Sequence, residues 1–79
     1  MQKSVHSRSY KVFCERLVAA RHAAGLTQMQ LAKKLGRPQL FVAKYERGER
    51  RLDVIEFLEV AGFLKLEPGS FVVKLQAAK

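Results

Sequence analysis

The sequence predicts an all-α domain of five short helices. Apolar residues recur at spacings of three and four along most of the chain, which is the period of a helix. Capping residues and glycines separate these stretches, and no segment carries a strand signal. The chain has 79 residues, of which 48% are hydrophobic. We therefore expect one small folded domain, without a separate effector-binding or catalytic domain.

The first helix is expected to begin near Ser9, which can cap it, and to end before Gly25. Residues 1–8 are polar and are predicted to be a flexible N-terminal segment, so the domain is expected to cover residues 9–79. Cys14 is predicted to be a small buried hydrophobe, because it lies on the apolar side of this helix. That side consists of Tyr10, Phe13, Cys14, Leu17, Ala20 and Ala24.

The second and third helices are predicted within residues 27–48. Thr27 can cap the second helix and Gln30 can return the hydrogen bond, which together form a capping box. Gly36 is expected to end this helix, because glycine permits the positive φ of a tight turn. Two short helices joined in this way hold the second at a steep angle to the first and leave one face free to enter a DNA groove.

The third helix is expected to begin at Pro38, whose fixed φ and missing N–H suit the first helical position, and to close at Gly48. Val42 and Tyr45 form its inward side. Phe41 fits two interpretations, a hydrophobic support beneath the helix or a contact residue. The outward side is predicted to carry Gln39, Leu40, Ala43, Lys44 and Arg47.

Two more helices are predicted in the last third of the chain. Asp53 can cap the fourth helix, and Glu56 can complete its capping box. Glu56 and Glu59 are interpreted as a solvated face and not as an acid–base pair. The buried side of this helix is either Ile55, Leu58 and Ala61, or Val54, Phe57 and Leu64. The fifth helix is expected to begin at Pro68, and its apolar residues are Phe71, Val72 and Leu75.

The positive charge is concentrated in the first two-thirds of the chain. The net charge is +8, with +4 in residues 1–22, +5 in residues 33–51 and −1 in residues 52–79. A basic region followed by a nearly neutral one predicts a nucleic-acid face and a separate, apolar assembly face.

Several classes of protein are disfavoured by the sequence. A single cysteine, Cys14, cannot form an internal disulfide, which favours a reducing cytoplasm. His6 and His22 have no cysteine or carboxylate partners at metal-ligand spacing, so we expect no metal. No catalytic group of residues or phosphate-binding glycine loop is present, so we expect no cofactor and no enzyme activity. The apolar stretches are too short for a membrane span, and no secretion signal follows the N-terminus.

A series of short motifs with ordered spacing indicates a resemblance to a known protein family. They are Arg21, Gly25-Leu26-Thr27-Gln28, Leu31-Ala32, Leu35-Gly36, Gln39, Val42, Lys44-Tyr45-Glu46-Arg47-Gly48 and Arg50-Arg51-Leu52. With these motifs, residues 17–71 resemble the Cro-like (XRE) phage-repressor family of helix-turn-helix DNA-binding domains. The resemblance implies a five-helix, lambda-repressor-like fold in which the third helix lies in the major groove of double-stranded DNA.

The resemblance also implies roles for individual residues. Gln39 would read adenine through its amide, and Lys44 would reach guanine or a phosphate. Arg21 and Glu46 would form an ion pair between the first and third helices. The base-reading positions are Gln39, Leu40, Ala43 and Lys44. The phosphate-binding positions are Gln28, Arg37, Arg47, Arg50 and Arg51.

Three residues depart from the family pattern. Leu40 and Ala43 occupy positions where the family usually carries polar side chains, and Pro38 replaces the usual hydroxyl cap. Leu40 and Ala43 either contact thymine methyl groups or leave specificity to the shape of the DNA.

These observations predict a cytoplasmic transcription regulator of bacterial or phage origin that represses by occupying an operator. A homodimer is expected, because one small domain makes too few base contacts for useful specificity. Phe71, Val72 and Leu75 either contribute to the dimer interface or only close the core of the monomer. The alternative function is an antitoxin or another protein-interaction module that binds a partner protein and its own operator.

Overall fold

The computed structural model describes residues 7–77 as an all-α domain, which confirms the predicted fold class. No strand occurs in this range. Residues 1–6, which include His6 and most of the predicted flexible segment, lie outside the described residues, as do residues 78 and 79. The five helices are α1 (Arg8–Ala23), α2 (Gln28–Leu35), α3 (Gln39–Glu46), α4 (Val54–Phe63) and α5 (Pro68–Ala77).

The start of α1 differs from the sequence prediction. Ser7, and not Ser9, is the cap: its hydroxyl accepts a hydrogen bond from the Tyr10 backbone N–H at 3.1 Å. Both serines have the required chemistry, but Ser7 has the extended backbone of a cap and Ser9 is already inside the helix. The predicted end is confirmed, since Gly25 follows the helix with a φ of 74°.

The capping box of α2 is present as predicted. The Thr27 hydroxyl accepts from the Gln30 backbone N–H at 3.0 Å, and the Gln30 side chain accepts from the Thr27 backbone N–H at 2.9 Å. Gly36 ends the helix in the left-handed region, with a φ of 69°. The chain then enters α3 after only two further residues.

The start of α3 also differs from the prediction. Pro38 is the cap and Gln39 is the first helical residue, because Pro38 has a ψ of 152°, which is extended backbone. The pyrrolidine ring fixes φ but leaves ψ free, so proline fits both positions. Pro38 offers no side-chain cap hydrogen bond. Val42 and Tyr45 are completely buried, as predicted.

The capping box of α4 is confirmed, with Asp53 as the cap and Glu56 as the returning residue. Each predicted version of its buried side is correct only in part, since Ala61 of the first version and Phe57 and Leu64 of the second are buried. The residues that face the core are Phe57, Val60, Ala61 and Leu64, whereas the exposed apolar residues of its first two turns are Val54, Ile55 and Leu58. The prediction of Glu56 on a solvated face is also wrong, since only 8% of this residue is exposed.

One hydrophobic core joins the first four helices. Its buried members are Leu17, Leu31, Ala32, Val42, Tyr45, Phe57, Val60, Ala61 and Leu64. No residue of α5 is buried, and this helix joins the core through Phe71, whose ring centroid lies 5.9 Å from that of Phe13 and 5.5 Å from that of Phe57. Among the described residues, no helix is both long and apolar enough to cross a membrane.

Candidate nucleic-acid interface

The outward side of α3 is open to solvent. Gln39, Lys44 and Arg47 are exposed, Ala43 is half-buried, and 56% of Leu40 is exposed. The opposite side of α3 packs against α2 in the core, where buried Leu31 and Val42 belong to the same cluster. The helix is therefore fixed along one side and free along the other.

A buried ion pair ties α1 to the end of α3. The Arg21 guanidinium donates from Nε to Glu46 Oε2 at 2.7 Å and from Nη2 to Glu46 Oε1 at 3.1 Å. Its remaining nitrogen, Nη1, donates to the Leu26 carbonyl at 2.9 Å. The ion pair that the resemblance implies is thus present, with a further bond to the residue that precedes the α2 cap.

This ion pair continues into a chain of side-chain amides that reaches the surface of α3. Gln28 Nε2 donates to Glu46 Oε1 at 2.8 Å, and Gln39 Nε2 donates to Gln28 Oε1 at 3.3 Å. The amide of Gln28 is therefore used on both sides within the protein. Gln39 retains its own amide oxygen and one N–H for a ligand.

A second cluster fixes α3 from the side of α4. Glu56 accepts two hydrogen bonds at 2.9 Å from the guanidinium of Arg50 and one at 3.3 Å from Arg37. The same two guanidinium groups lie over the ring of Phe41, 4.5 Å (Arg37) and 4.8 Å (Arg50) from its centroid. We call these four residues the Glu56 cluster. The geometry favours a supporting role for Phe41 over a contact role.

The Glu56 cluster also changes the expected use of two arginines. The resemblance implies phosphate binding by Arg37 and Arg50, but both guanidinium groups are bound to Glu56 and stacked on Phe41. Hydrogen bonding from Arg50 lowers the pKa of Glu56 to about 2, so this carboxylate remains charged at neutral pH. The geometry therefore favours a structural role for these two arginines.

The remaining predicted cations are more accessible. Lys44 has no ion-pair partner within residues 7–77, and Arg47 forms an exposed pair with Glu49 at 3.0 Å. The Arg51 guanidinium lies 4.6 Å from the ring centroid of Tyr10. An exposed pair such as Arg47–Glu49 contributes little stability, so Arg47 can exchange Glu49 for another anion at small cost.

Comparisons with known proteins agree with this geometry. A helix-turn-helix domain family matches residues 13–67. The solved structure of an XRE-family like protein from Pseudomonas syringae pv. tomato str. DC3000 is 45% identical to the chain. The match covers 96% of this chain and 93% of that one, with a TM-score of 0.88. The chain belongs to the XRE-type helix-turn-helix family. No curated protein matches it.

This XRE-type domain has the fold of a DNA-binding regulator, and the outer side of its α3 is accessible to solvent. Its buried thiol and phenol belong to the core: burial raises the pKa of Cys14 and of Tyr45, so neither group ionises at neutral pH. Within residues 7–77, no group of three His, Cys, Asp or Glu side chains is arranged to hold a metal ion.

Sequence reasoning missed two features of this XRE-type domain. The first is the hydrogen bond from Gln28 to Glu46, which no local spacing indicates. The second is the burial of Glu56, for which a signal existed: Glu56 lies one turn before buried Val60 and therefore shares its side of α4.

Proposed function

We propose that this protein is a sequence-specific, double-stranded-DNA-binding transcriptional regulator that inserts α3 into the major groove. The observation that carries the proposal is the combination of an exposed outer side of α3 with a completely buried inner side. A helix held in this way can present side chains to base edges without leaving the protein core. Occupation of an operator by such a domain would repress transcription by excluding other proteins from the same duplex.

Gln39 is the proposed reader of adenine. Its amide oxygen can accept from adenine N6 while its second N–H donates to N7, which is the bidentate pairing that glutamine makes with this base. The first N–H is already bonded to Gln28. Gln39 can therefore keep its hydrogen bond to Gln28 while it pairs with the base.

Leu40 and Ala43 would complete the reading surface beside Gln39. The exposure of Leu40 supports contact with a thymine methyl group, because an apolar side chain at this position is available without rearrangement. Recognition through DNA shape is the remaining alternative, and it would leave both residues close to the duplex without a preferred base.

The proposed phosphate contacts are the accessible cations around α3. Lys44 and Arg47 are exposed, and the helical repeat places them on the same outward side as Gln39. Residues 33–51 carry a net charge of +5. The backbone N–H groups at the start of α2 could add to them, as expected for Gln28. Arg51 stays a predicted phosphate contact.

A dimer is part of the proposal, because one α3 reads too few bases for a unique operator. Two copies would reach half-sites about 34–36 Å apart on one face of the duplex. Val72 is exposed on α5, whereas Phe71 packs against Phe13 and Phe57 of its own chain. The observed packing of Phe71 supports a role in the monomer core.

Selection of bound sequences from a random DNA pool, followed by titration of labelled duplexes at fixed salt, tests this function. Gln39→Ala should weaken binding to the selected site by about 1–3 kcal/mol and leave random DNA unaffected. Gln76→Ala is the matched control, since it removes an exposed glutamine from α5. Equal losses on both kinds of DNA would remove Gln39 from the readout, and a pool without any enriched sequence would overturn the function.

A further inference from the structure

Glu56, on α4, binds two of the cations that surround the proposed recognition helix. Residues 33–51 contain seven lysines and arginines against two glutamates, which gives this segment its net charge of +5. Glu56 accepts at 2.9 Å from Nη1 and from Nη2 of Arg50, and at 3.3 Å from Nη1 of Arg37. Two of the seven positive charges are therefore bound to a carboxylate that lies outside the basic segment.

Arg37 and Arg50 are nevertheless partly open to solvent. Their side chains are 34% and 41% exposed, whereas that of Glu56 is 11% exposed. A guanidinium group presents the same fork of N–H donors to a carboxylate and to a phosphate, so the two anions compete for it. Glu56 therefore occupies N–H groups that could otherwise bind the backbone of a nucleic acid.

The surroundings of Glu56 favour it in this competition. Its Oε1 accepts from the Asp53 backbone N–H at 3.0 Å, which fixes the carboxylate at the start of α4. The ring of Phe41 lies under both guanidinium groups, 4.5 Å from that of Arg37 and 4.8 Å from that of Arg50. A phosphate that drew both arginines away would leave a poorly hydrated carboxylate without its counter-charges, which is costly.

We propose that Glu56 limits the sequence-independent affinity of this domain for DNA by withholding Arg37 and Arg50 from the phosphate backbone. This role rests on the proposed function, because it requires that a duplex lies against the basic segment. Phosphate contacts strengthen binding to every sequence and carry no base information, so each withheld contact lowers binding to all duplexes. The protein then spends less time on the many nonspecific sites of a genome.

Glu56→Gln tests this role, because it removes the charge and keeps the shape of the side chain. The new amide oxygen can still accept from the Asp53 backbone N–H, as the amide oxygen of Gln30 accepts from that of Thr27 at 2.9 Å. The start of α4 should therefore keep its capping box.

The measurement is titration of a labelled random-sequence duplex at several salt concentrations. In Glu56→Gln, the slope of log affinity against log salt should become steeper by about 0.9 for each freed arginine, and therefore by about 1.8 for both. Between about 50 mM and 200 mM salt, the affinity should fall by about a further 3.5-fold for each freed arginine.

Glu59→Gln is the matched control. It removes the same charge from the same helix, but the Glu59 carboxylate comes no closer than 3.9 Å to the Arg37 guanidinium, so the slope should stay as in the wild type. Adding Arg50→Met to Glu56→Gln should return the slope by about 0.9 toward the wild type, because one freed cation is then lost. An unchanged slope in Glu56→Gln, an equal change in Glu59→Gln, or a steeper slope that Arg50→Met does not reverse would overturn the role.

The wild type offers a second measurement, which does not depend on the folding of a variant. With isotope-labelled arginine, the guanidinium resonances of Arg37 and Arg50 should keep their positions in nuclear magnetic resonance spectra when a random-sequence duplex is added. Those of Arg47 should shift, because its pair with Glu49 is exposed. Shifts of Arg37 and Arg50 as large as those of Arg47 would show that phosphate takes these arginines from Glu56, which contradicts the proposal.

Failure of this role and failure of the proposed function give different results. If Glu56→Gln keeps the wild-type slope while Gln39→Ala still weakens only the selected site, the role of Glu56 is wrong and α3 remains the reading element. If the wild type enriches no sequence from the random pool, sequence-specific regulation is wrong. A steeper slope for Glu56→Gln would then still show that Glu56 restrains the binding of the basic segment to DNA.

Discussion

Arg21 and Glu46 form an ion pair that joins α1 to α3, and their side chains are only 10% and 5% exposed. Both carboxylate oxygens of Glu46 are bonded to the guanidinium, and one of them also accepts from Gln28. Removing one member would leave a charge in a poorly hydrated place, which costs far more than the loss of an exposed pair. This pair therefore helps to fix the orientation of α3 relative to α1.

Arg21→Met should destabilise the domain by about 3–5 kcal/mol, because Glu46 would stay buried without its counter-charge. The variant keeps an unbranched apolar stem but removes the positive charge, the two hydrogen bonds to Glu46 and the one to the Leu26 carbonyl. Urea unfolding followed by far-UV circular dichroism measures the loss. If the domain is only marginally stable, the variant will be unfolded without urea.

Arg47→Met is the matched control for this prediction. Arg47 pairs with Glu49 in solvent, where side chains are 56% and 53% exposed. An exposed pair of this kind contributes at most about 1 kcal/mol. Similar losses in the two variants would show that burial does not set the importance of the Arg21–Glu46 pair.

Glu56 should make the stability of the domain depend on pH. Hydrogen bonding from Arg50 lowers its folded-state pKa from 4.5 to about 2. A lowered pKa means that the carboxylate stabilises the folded state fully above pH 4.5 and loses this contribution as the pH falls toward 2. The difference in unfolding free energy between wild type and Glu56→Gln should therefore shrink over this range.

The measurement is urea unfolding of both proteins at a series of pH values. Glu59→Gln is a suitable control, because it removes the same charge from a side chain that is 50% exposed. The Glu59 carboxylate comes no closer than 3.9 Å to the Arg37 guanidinium, so this contact is much weaker than those of Glu56. A constant difference between wild type and Glu56→Gln across the range would mean that the Glu56 cluster does not hold this carboxylate in its charged form.

Local chemistry explains which parts of this fold could be predicted from the sequence. Both capping boxes, at Thr27 and at Asp53, join side chains that are three residues apart. The sequence alone therefore shows both partners of each box. The cap of α1 is Ser7 and not the predicted Ser9, because two neighbouring serines offer the same hydroxyl group. Only the backbone conformation decides between them.

Tertiary contacts explain how Glu56 can be buried while charged, which its helical spacing to Val60 does not indicate. Glu56 is buried because Arg37 and Arg50 reach it from other segments of the chain and Phe41 supports both guanidinium groups. None of these distances follows from helical periodicity. The same cluster engages two arginines whose positions suit phosphate binding, since charge composition cannot distinguish a free cation from a paired one.

Two glycines should respond in opposite ways to the same substitution. Gly36→Ala should destabilise the domain by about 1 kcal/mol, because Gly36 has a φ of 69° and alanine is strained there. Gly62→Ala should stabilise it by about 0.5–1 kcal/mol, because this glycine lies within α4. A β-carbon at either position meets no atom within 4 Å, so steric clashes do not enter the comparison. Thermal unfolding of the two variants measures both effects, and equal signs would contradict this account.

The salt dependence of DNA binding should distinguish a phosphate contact from a structural arginine. Arg47→Met should flatten the slope of log affinity against log salt by about 0.9 for each phosphate that a bound chain no longer neutralises. Arg50→Met should leave the slope unchanged and instead lower the urea midpoint, because Arg50 is held by Glu56 and stacked on Phe41. Both changes remove one positive charge, so general electrostatics are matched. A flattened slope for Arg50→Met at unchanged stability would assign Arg50 to the DNA backbone and leave the Glu56 cluster without its proposed role.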